Sequence, residues 1–449
     1  MSTGLEARVV GTSGHVEDAA YVLDLSKFAA NIKDFGAAFQ AHYPRSRIAY
    51  SVKTNYMPVV CRRALELGCL LEVVSEMEYD LAVRLKAPPQ SIIVNGPCKP
   101  QAFLERSLLD GAVVNLDGSS DLDVLTRVAR SQPRTSYRVG LRCNVPLPGE
   151  PPSRFGFDAA DPGALSYIAD RVRSLPNVHL AGIHCHYSLA KRNAEDYQRL
   201  AIAMLAIAEQ LFPDSPPEFV DVGGGFYSPM PPDLSRQFGH TLPDFSAYGA
   251  AIASEFARVF GIDGTTCLLT EPGIAVVADT MSFEARVVDV RKVRNREFVL
   301  VAGSVYNVKP TKSRRNLPVR IVPAGDAKGS ATRNIVTNAE IVGYTCMEDD
   351  VLYVGFHGNV GPSDVAIFDN VGAYSLVLKP PFIQPCPPVY VRSTAGGALT
   401  LAKHEETLDN IFATYVFPSE GLLSAPAKVS TGHGTKCTDL PRGPSPQLA

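Results

Sequence analysis

The feature that most constrains this chain is an alternation repeated eight times. Short apolar runs at 48–52, 70–74, 91–95, 112–115, 139–143, 180–184, 219–222 and 267–271 are separated by longer amphipathic stretches. Runs without polar alternation belong in a parallel sheet covered on its outside, and helix-like segments such as 57–67, 193–211 and 248–259 supply the cover. The roughly 230 residues involved suit one (β/α)8 barrel. An open doubly wound sheet is the other arrangement this alternation allows. Ahead of the first run, Asp24 or Ser26 can cap a helix running to about Tyr43.

After Pro272 the period falls to two, as in Phe283-Glu284-Ala285-Arg286-Val287-Val288-Asp289-Val290, answered by 298–302 across an Arg294-Asn295 turn. Further strand-like runs at 319–322, 334–342, 351–354 and 366–368 predict an all-β C-terminal domain. The expected division is therefore a barrel over 21–275 and a β domain over 276–423, with residues 1–20 joining the β domain. From 424 to 449 Pro, Gly, Ser, Thr and Lys dominate, which predicts a disordered tail.

Composition narrows the partners. With 43 basic and 46 acidic residues, no global field favours nucleic acid or an anionic membrane, so a small molecule is the expected partner. Nine scattered cysteines, never in a Cys-x-x-Cys pair, argue against a disulfide framework or structural zinc. The absence of a membrane-length apolar run and of signal-peptide features points to the cytoplasm.

Barrel enzymes work at the carboxyl ends of their strands, and several ends here are polar or glycine-rich. The first run stops at Lys53, the sixth enters His184-Cys185-His186-Tyr187-Ser188, the seventh enters Asp221-Val222-Gly223-Gly224-Gly225-Phe226, and the eighth ends in Glu271-Pro272-Gly273. A lone lysine is more often a solvated surface group than a catalytic amine. Successive glycines let backbone N–H groups converge on a phosphate, although glycine runs are also ordinary loops. Because side chains alternate along a strand, only one of His184 and His186 should face the mouth, and no third metal ligand stands at a suggestive spacing.

Together an amine, a phosphate cradle, a carboxylate and a flat imidazole match what pyridoxal phosphate requires. From about residue 20 to 420 the chain resembles the fold type III, alanine-racemase-like pyridoxal-phosphate decarboxylases of the ornithine and diaminopimelate group. The matching stretches are Tyr50-Ser51-Val52-Lys53-Thr54-Asn55, Val73-Val74-Ser75-Glu76-Met77-Glu78, Gly182-Ile183-His184-Cys185-His186, Gly223-Gly224-Gly225-Phe226, Glu271-Pro272-Gly273, Tyr344-Thr345-Cys346 and Gly372-Ala373-Tyr374.

The resemblance implies a decarboxylase with pyridoxal 5'-phosphate linked covalently to Lys53, whose amine desolvation should keep unprotonated. It implies Glu271 against the pyridine nitrogen, His186 stacked on the ring, and the phosphate held by Gly223, Gly224, Gly225, Tyr374 and the turn at Gly273. It also implies a homodimer with shared active sites, in which Cys346 crosses to the partner subunit and protonates Cα; a thiol suits that task because it titrates nearer neutrality than a hydroxyl. Several residues depart from the family. Glu72 stands where an Asp is usual, Ile274 follows Glu271-Pro272-Gly273 in place of Arg, and the phosphate-binding serine falls at Leu189, leaving Ser188 to substitute. Met347 occupies the position of an acidic residue that grips the substrate's far end. The run Gly343-Tyr344-Thr345-Cys346-Met347-Glu348-Asp349-Asp350 looks more like the carboxylate-siderophore branch, which decarboxylates a citrate-linked diaminopropionate. On that reading Lys309 and Arg314 would meet the conjugate's carboxylates. A free diamino acid is the alternative substrate, and a non-catalytic regulatory protein is opposed by Lys53, the three glycines and Cys346. A racemase would need a second base in place of the Cys346 motif.

Overall fold

The computed structural model describes residues 18–187, 189, 191–324, 333–394 and 397–417. Eight parallel strands, Ser46–Ser51, Leu70–Val73, Ile92–Val94, Val113–Leu116, Tyr137–Asn144, Val178–His184, Phe219–Asp221 and Cys267–Thr270, each carry one of the predicted runs. The eighth pairs with the first at Leu268 and Ser46, and the fourth pairs with the fifth at Val114 and Val139. Every strand therefore has two neighbours. That closure makes a barrel and rules out the open sheet.

The barrel is packed through its centre. Ala49, Leu70, Ile93, Val113, Ala181, Phe219 and Leu269, one from each of seven strands, form an apolar cluster of their own. Phe219 fits because two strands carry glycine beside it: a Cβ at Gly182 would lie 2.2 Å from the Phe219 carbonyl oxygen, and one at Gly140 would lie 2.9 Å from its ring. Outside, the Leu25–Gln40 helix buries Phe28, Ile32, Phe35 and Phe39, a stripe at helical spacing. Asp24 caps it by accepting from the Ser26 and Lys27 N–H groups at 2.9 and 3.0 Å. Asn193 and Asp244 cap the Ala194–Leu211 and Phe245–Phe260 helices in the same way.

The second sheet is built on Met281–Val293, a 13-residue strand that pairs with Ala19–Asp24, Arg296–Val301 and Val365–Phe368. Val319–Val322, Asn334–Val342 and Val351–Val360 extend it. Val389–Arg392 and Leu399–Lys403 also belong to it; they went unrecognised because prolines crowd the chain before them and both are short. Ala19–Asp24 adds to this sheet from the N-terminal side, so its last four residues lie past the boundary drawn at residue 20. The predicted tail at 424–449 lies outside the described residues. Residues 407–417 belong to a separate compact unit, where Thr407 caps the Leu408–Phe412 helix and Phe412 packs on Tyr415. Among the described residues, no helix is long and apolar enough to cross a membrane.

At the start of the Glu76–Arg84 helix, Ser75 accepts from the Glu78 N–H while Glu78 reaches back to the Val74 N–H at 2.8 Å. Burial lifts the Glu78 carboxyl to about 7, against the lowering effect of that hydrogen bond. A group so raised contributes stability that is complete below its unfolded pKa and is lost as pH climbs through its folded pKa. At ~1.4 kcal/mol per unit the loss is roughly 3 kcal/mol. Glu78→Gln should therefore flatten the decline in unfolding free energy between about pH 4 and pH 8 by that amount, as read by denaturant titration. Parallel curves for variant and wild type would refute the assignment.

Candidate active site

The first barrel strand passes into one turn of 3-10 helix, Val52–Thr54, which presents Lys53 at the mouth with its side chain 32% exposed. The Lys53 amine lies 2.6 Å from Glu72 Oε2, and that oxygen also accepts from the Ser51 hydroxyl at 2.6 Å. Asn95, at the end of the third strand, donates through Nδ2 to Glu72 Oε1 at 3.2 Å and to Glu271 Oε1 at 2.6 Å. Asn115 from the fourth strand donates to Asn95 Oδ1 at 2.8 Å, which fixes the direction of the Asn95 amide. One amide thus joins two buried carboxylates. Burial pulls the Lys53 amine down, but Glu72 and Glu271 together raise it further, well above the ordinary lysine value. Desolvation was expected to free this amine; the two carboxylates reverse the sign and hold it as an ammonium.

Both histidines of the sixth strand's end reach the same place. The strand stops at His184, so strict alternation no longer applies at His186. His184 Nε2 lies 3.3 Å from Glu271 Oε1, and His186 is close enough to Glu271 and Lys53 to feel both charges. Burial pushes the His186 imidazole down to about 4. It is neutral at ordinary pH, and its bare Nδ1 accepts the Gly224 N–H at 3.1 Å, leaving the proton on Nε2. Burial alone would raise Glu271, yet His184, Lys53 and His186 hold it well below the usual carboxylate range. Sequence spacing also showed no third group beside the histidines. In the fold His184, Asp221 and Glu271 bring a ring nitrogen and two carboxylate oxygens within 4.8 Å of one another.

The glycine turn is more committed than a free cradle. Gly223 donates its N–H to Asp221 Oδ1 at 2.9 Å, and Gly224 donates to His186. What the glycines chiefly supply is room: a Cβ at Gly224 would stand 2.1 Å from the Glu271 carbonyl oxygen, and Gly223 and Gly225 adopt φ of +72° and +96°. Gly273 is equally tight, since a Cβ there would meet Thr54 Oγ1 at 2.0 Å. From the β domain, Tyr374 docks on the lysine turn through its N–H to the Thr54 carbonyl at 2.9 Å, and Asn55 Nδ2 donates to the Gly372 carbonyl at 3.0 Å. Tyr374 holds φ of +64°, a strained conformation for a non-glycine residue that this docking sustains.

Other predicted site residues are placed differently. Cys346 is exposed, and Met347 accepts a long hydrogen bond from the Tyr306 hydroxyl at 3.8 Å. Lys309 is 9% exposed and donates to the Arg315 carbonyl at 3.2 Å, so its ammonium is tied to the backbone; Arg314 is exposed. The hydrogen bonds of Met347 and Lys309 stay within the β domain, and among the described residues none reaches the Lys53 cluster. Ser188 lies outside the described residues. Glu72, Asn95, Asn115 and Asp221 were not assigned roles from sequence. Asn95 and Asn115 each close an apolar run, and applying the strand-end rule to every strand rather than to four would have found them; Glu72 sits inside its run, and Asp221 stood at a quoted strand end without a task.

The donor set fits pyridoxal phosphate: an amine on Lys53, an ionised Glu271, a neutral imidazole on His186 and backbone turns at Gly223–Gly225 and Gly273 free of side chains. Comparison with known proteins agrees. Residues 25–278 match the family described as pyridoxal-dependent decarboxylase, pyridoxal binding domain. The chain is 25% identical over 420 residues to diaminopimelate decarboxylase of Corynebacterium efficiens, covering 88% of this chain and 87% of that one. It is 23% identical over 435 residues to L-glutamyl-[BtrI acyl-carrier protein] decarboxylase of Niallia circulans, covering 89% and 99%. In structure it resembles diaminopimelate decarboxylase of M. jannaschii with a TM-score of 0.77 at 20% identity, over 89% of this chain and 92% of that one. This chain belongs to the pyridoxal-dependent decarboxylase family and is a pyridoxal-phosphate-dependent carboxy-lyase.

Proposed function

We propose that the enzyme removes the α-carboxylate of a free amino acid of the diaminopimelate, ornithine or lysine type. The near full-length likeness to diaminopimelate decarboxylases carries this reading. Pyridoxal phosphate, when bound, supplies the electron sink that accepts the pair left behind as carbon dioxide departs.

The chain's own groups have separate tasks in this proposal. Lys53 forms the covalent attachment, and Glu72, 2.6 Å away, receives the proton its amine must shed. Glu271, kept ionised, would pair with the pyridine nitrogen and hold a proton there. His186, its plane set by the Gly224 N–H, would lie against the ring. The glycine turn, Gly273 and Tyr374 would hold the phosphate. Cys346, exposed on the β domain, serves the mouth of a second copy in a homodimer and returns a proton to Cα.

A second reading, a conjugated amino acid such as citrate-linked diaminopropionate, is favoured by Met347, which offers no charge to a distal ammonium. The Niallia circulans relative, named for a glutamyl group on a carrier protein, also bears on it. Arg314 would then meet the conjugate's carboxylates, because Lys309 is already engaged.

Borohydride reduction of the holoenzyme should fix the cofactor to the peptide bearing Lys53; recovery on any other lysine would overturn that assignment. Mixed Lys53→Ala and Cys346→Ala chains, each inactive alone, should regain activity by forming one complete site per heterodimer. No recovery despite demonstrated subunit exchange would exclude a shared site. For the substrate, carbon dioxide release should be compared among meso-diaminopimelate, L-ornithine, L-lysine and citryl-diaminopropionate. One free amino acid should match or exceed the conjugate in kcat/KM. A buried, unpaired distal ammonium typically costs ~2 to 5 kcal/mol, so a conjugate favoured by about 30-fold or more would transfer support to the second reading.

A further inference from the structure

Asp221 ends the seventh barrel strand and is fully buried. Its Oδ1 accepts the Gly223 N–H at 2.9 Å, while its Oδ2 is buried and receives no hydrogen bond among the described residues. Within 4.8 Å lie a carboxylate oxygen of Glu271 and a ring nitrogen of His184. Other charged or titratable groups around this pocket include Lys53, which lies on Glu72, Glu72 itself, Cys185, His186, Cys267 and Arg142, and Arg142 bonds to Asp117. Among the described residues no lysine or arginine pairs with Asp221, and His184 lies on Glu271. Two bare carboxylates this close in a dry interior repel strongly, and an unsatisfied charged oxygen there is costly.

We infer that Asp221 is a positioning residue that carries a proton on Oδ2 and donates it as a hydrogen bond to Glu271. This rests on Glu271 being the carboxylate that faces the cofactor ring. Glu271 is then held from two sides, by the Asn95 amide and by the Asp221 hydroxyl. Through Oδ1 the same side chain anchors the glycine turn, so one residue sets the spacing between the ring end and the phosphate end of the site. The proton stays on Asp221, and no bond is made or broken. The burial-driven upward displacement of the Asp221 pKa agrees with this arrangement.

The test needs no turnover and so separates this inference from the substrate assignment. An infrared difference spectrum of wild type minus Asp221→Asn apoprotein at pH 8 should show a protonated-carboxyl C=O band; its absence overturns the inference. Asp221→Asn keeps an acceptor for Gly223 and offers an N–H to Glu271. It should therefore bind pyridoxal phosphate within about threefold of wild type and keep the same dependence of cofactor absorbance on pH. Asp221→Val, which offers neither, should bind about tenfold or more weakly. Binding by Asp221→Asn as weak as by Asp221→Val would mean that a negative charge is needed, and the inference fails. Circular dichroism melts confirm that both variants fold.

Discussion

Everything at the mouth of this barrel depends on keeping two carboxylates, Glu72 and Glu271, side by side in an interior that excludes water. Either one alone would be costly to bury, and together they would repel. The structure meets this with Lys53 on one carboxylate, His184 beside the other, and the two hydrogens of a single Asn95 amide between them. The raised lysine and the lowered glutamate are two expressions of that one arrangement. The barrel's strand order supplies it, since neighbouring strands deliver Lys53, Glu72, Asn95 and Asn115 in succession around the rim.

Such a cluster explains why the architecture was legible and the site only partly so. Apolar runs report burial on both faces directly, and a closed parallel sheet follows from eight of them. Lys53 and Glu271 stood out because a lysine and an acid close apolar runs. Asn95 and Asn115 looked like ordinary strand-end residues, and Glu72 looked like a simple replacement for Asp. Their meaning lies in which strands are neighbours, which no local pattern records. The His184 and His186 expectation failed for a related reason: alternation holds within a strand, and the strand ends between them. The sign of the Lys53 shift was likewise invisible, because burial can be guessed from a run but the two acids that outweigh it come from other strands.

The β domain is part of the same construction. Its Gly372-Ala373-Tyr374 turn rests on the backbone that follows Lys53, and a Cβ at Gly372 would collide with the Val277 carbonyl oxygen at 1.9 Å. The lysine turn is therefore clamped between the eighth strand's exit at Gly273 and a loop more than 300 residues away in sequence. Rigid support of this kind holds a reactive amine to the narrow range of positions that covalent chemistry tolerates.

The internal commitments of the glycine turn bear on affinity. With Gly223 bonded to Asp221, Gly224 to His186, and the Tyr197 hydroxyl donating to the Gly224 carbonyl at 2.9 Å, this segment is ordered by the fold itself. A ligand meets a preorganised surface, and the entropy that a loose glycine loop would lose on binding has already been lost during folding. Rotation of the His186 ring is coupled to that surface as well, so any shift of the turn would be transmitted to the face of whatever lies against the imidazole.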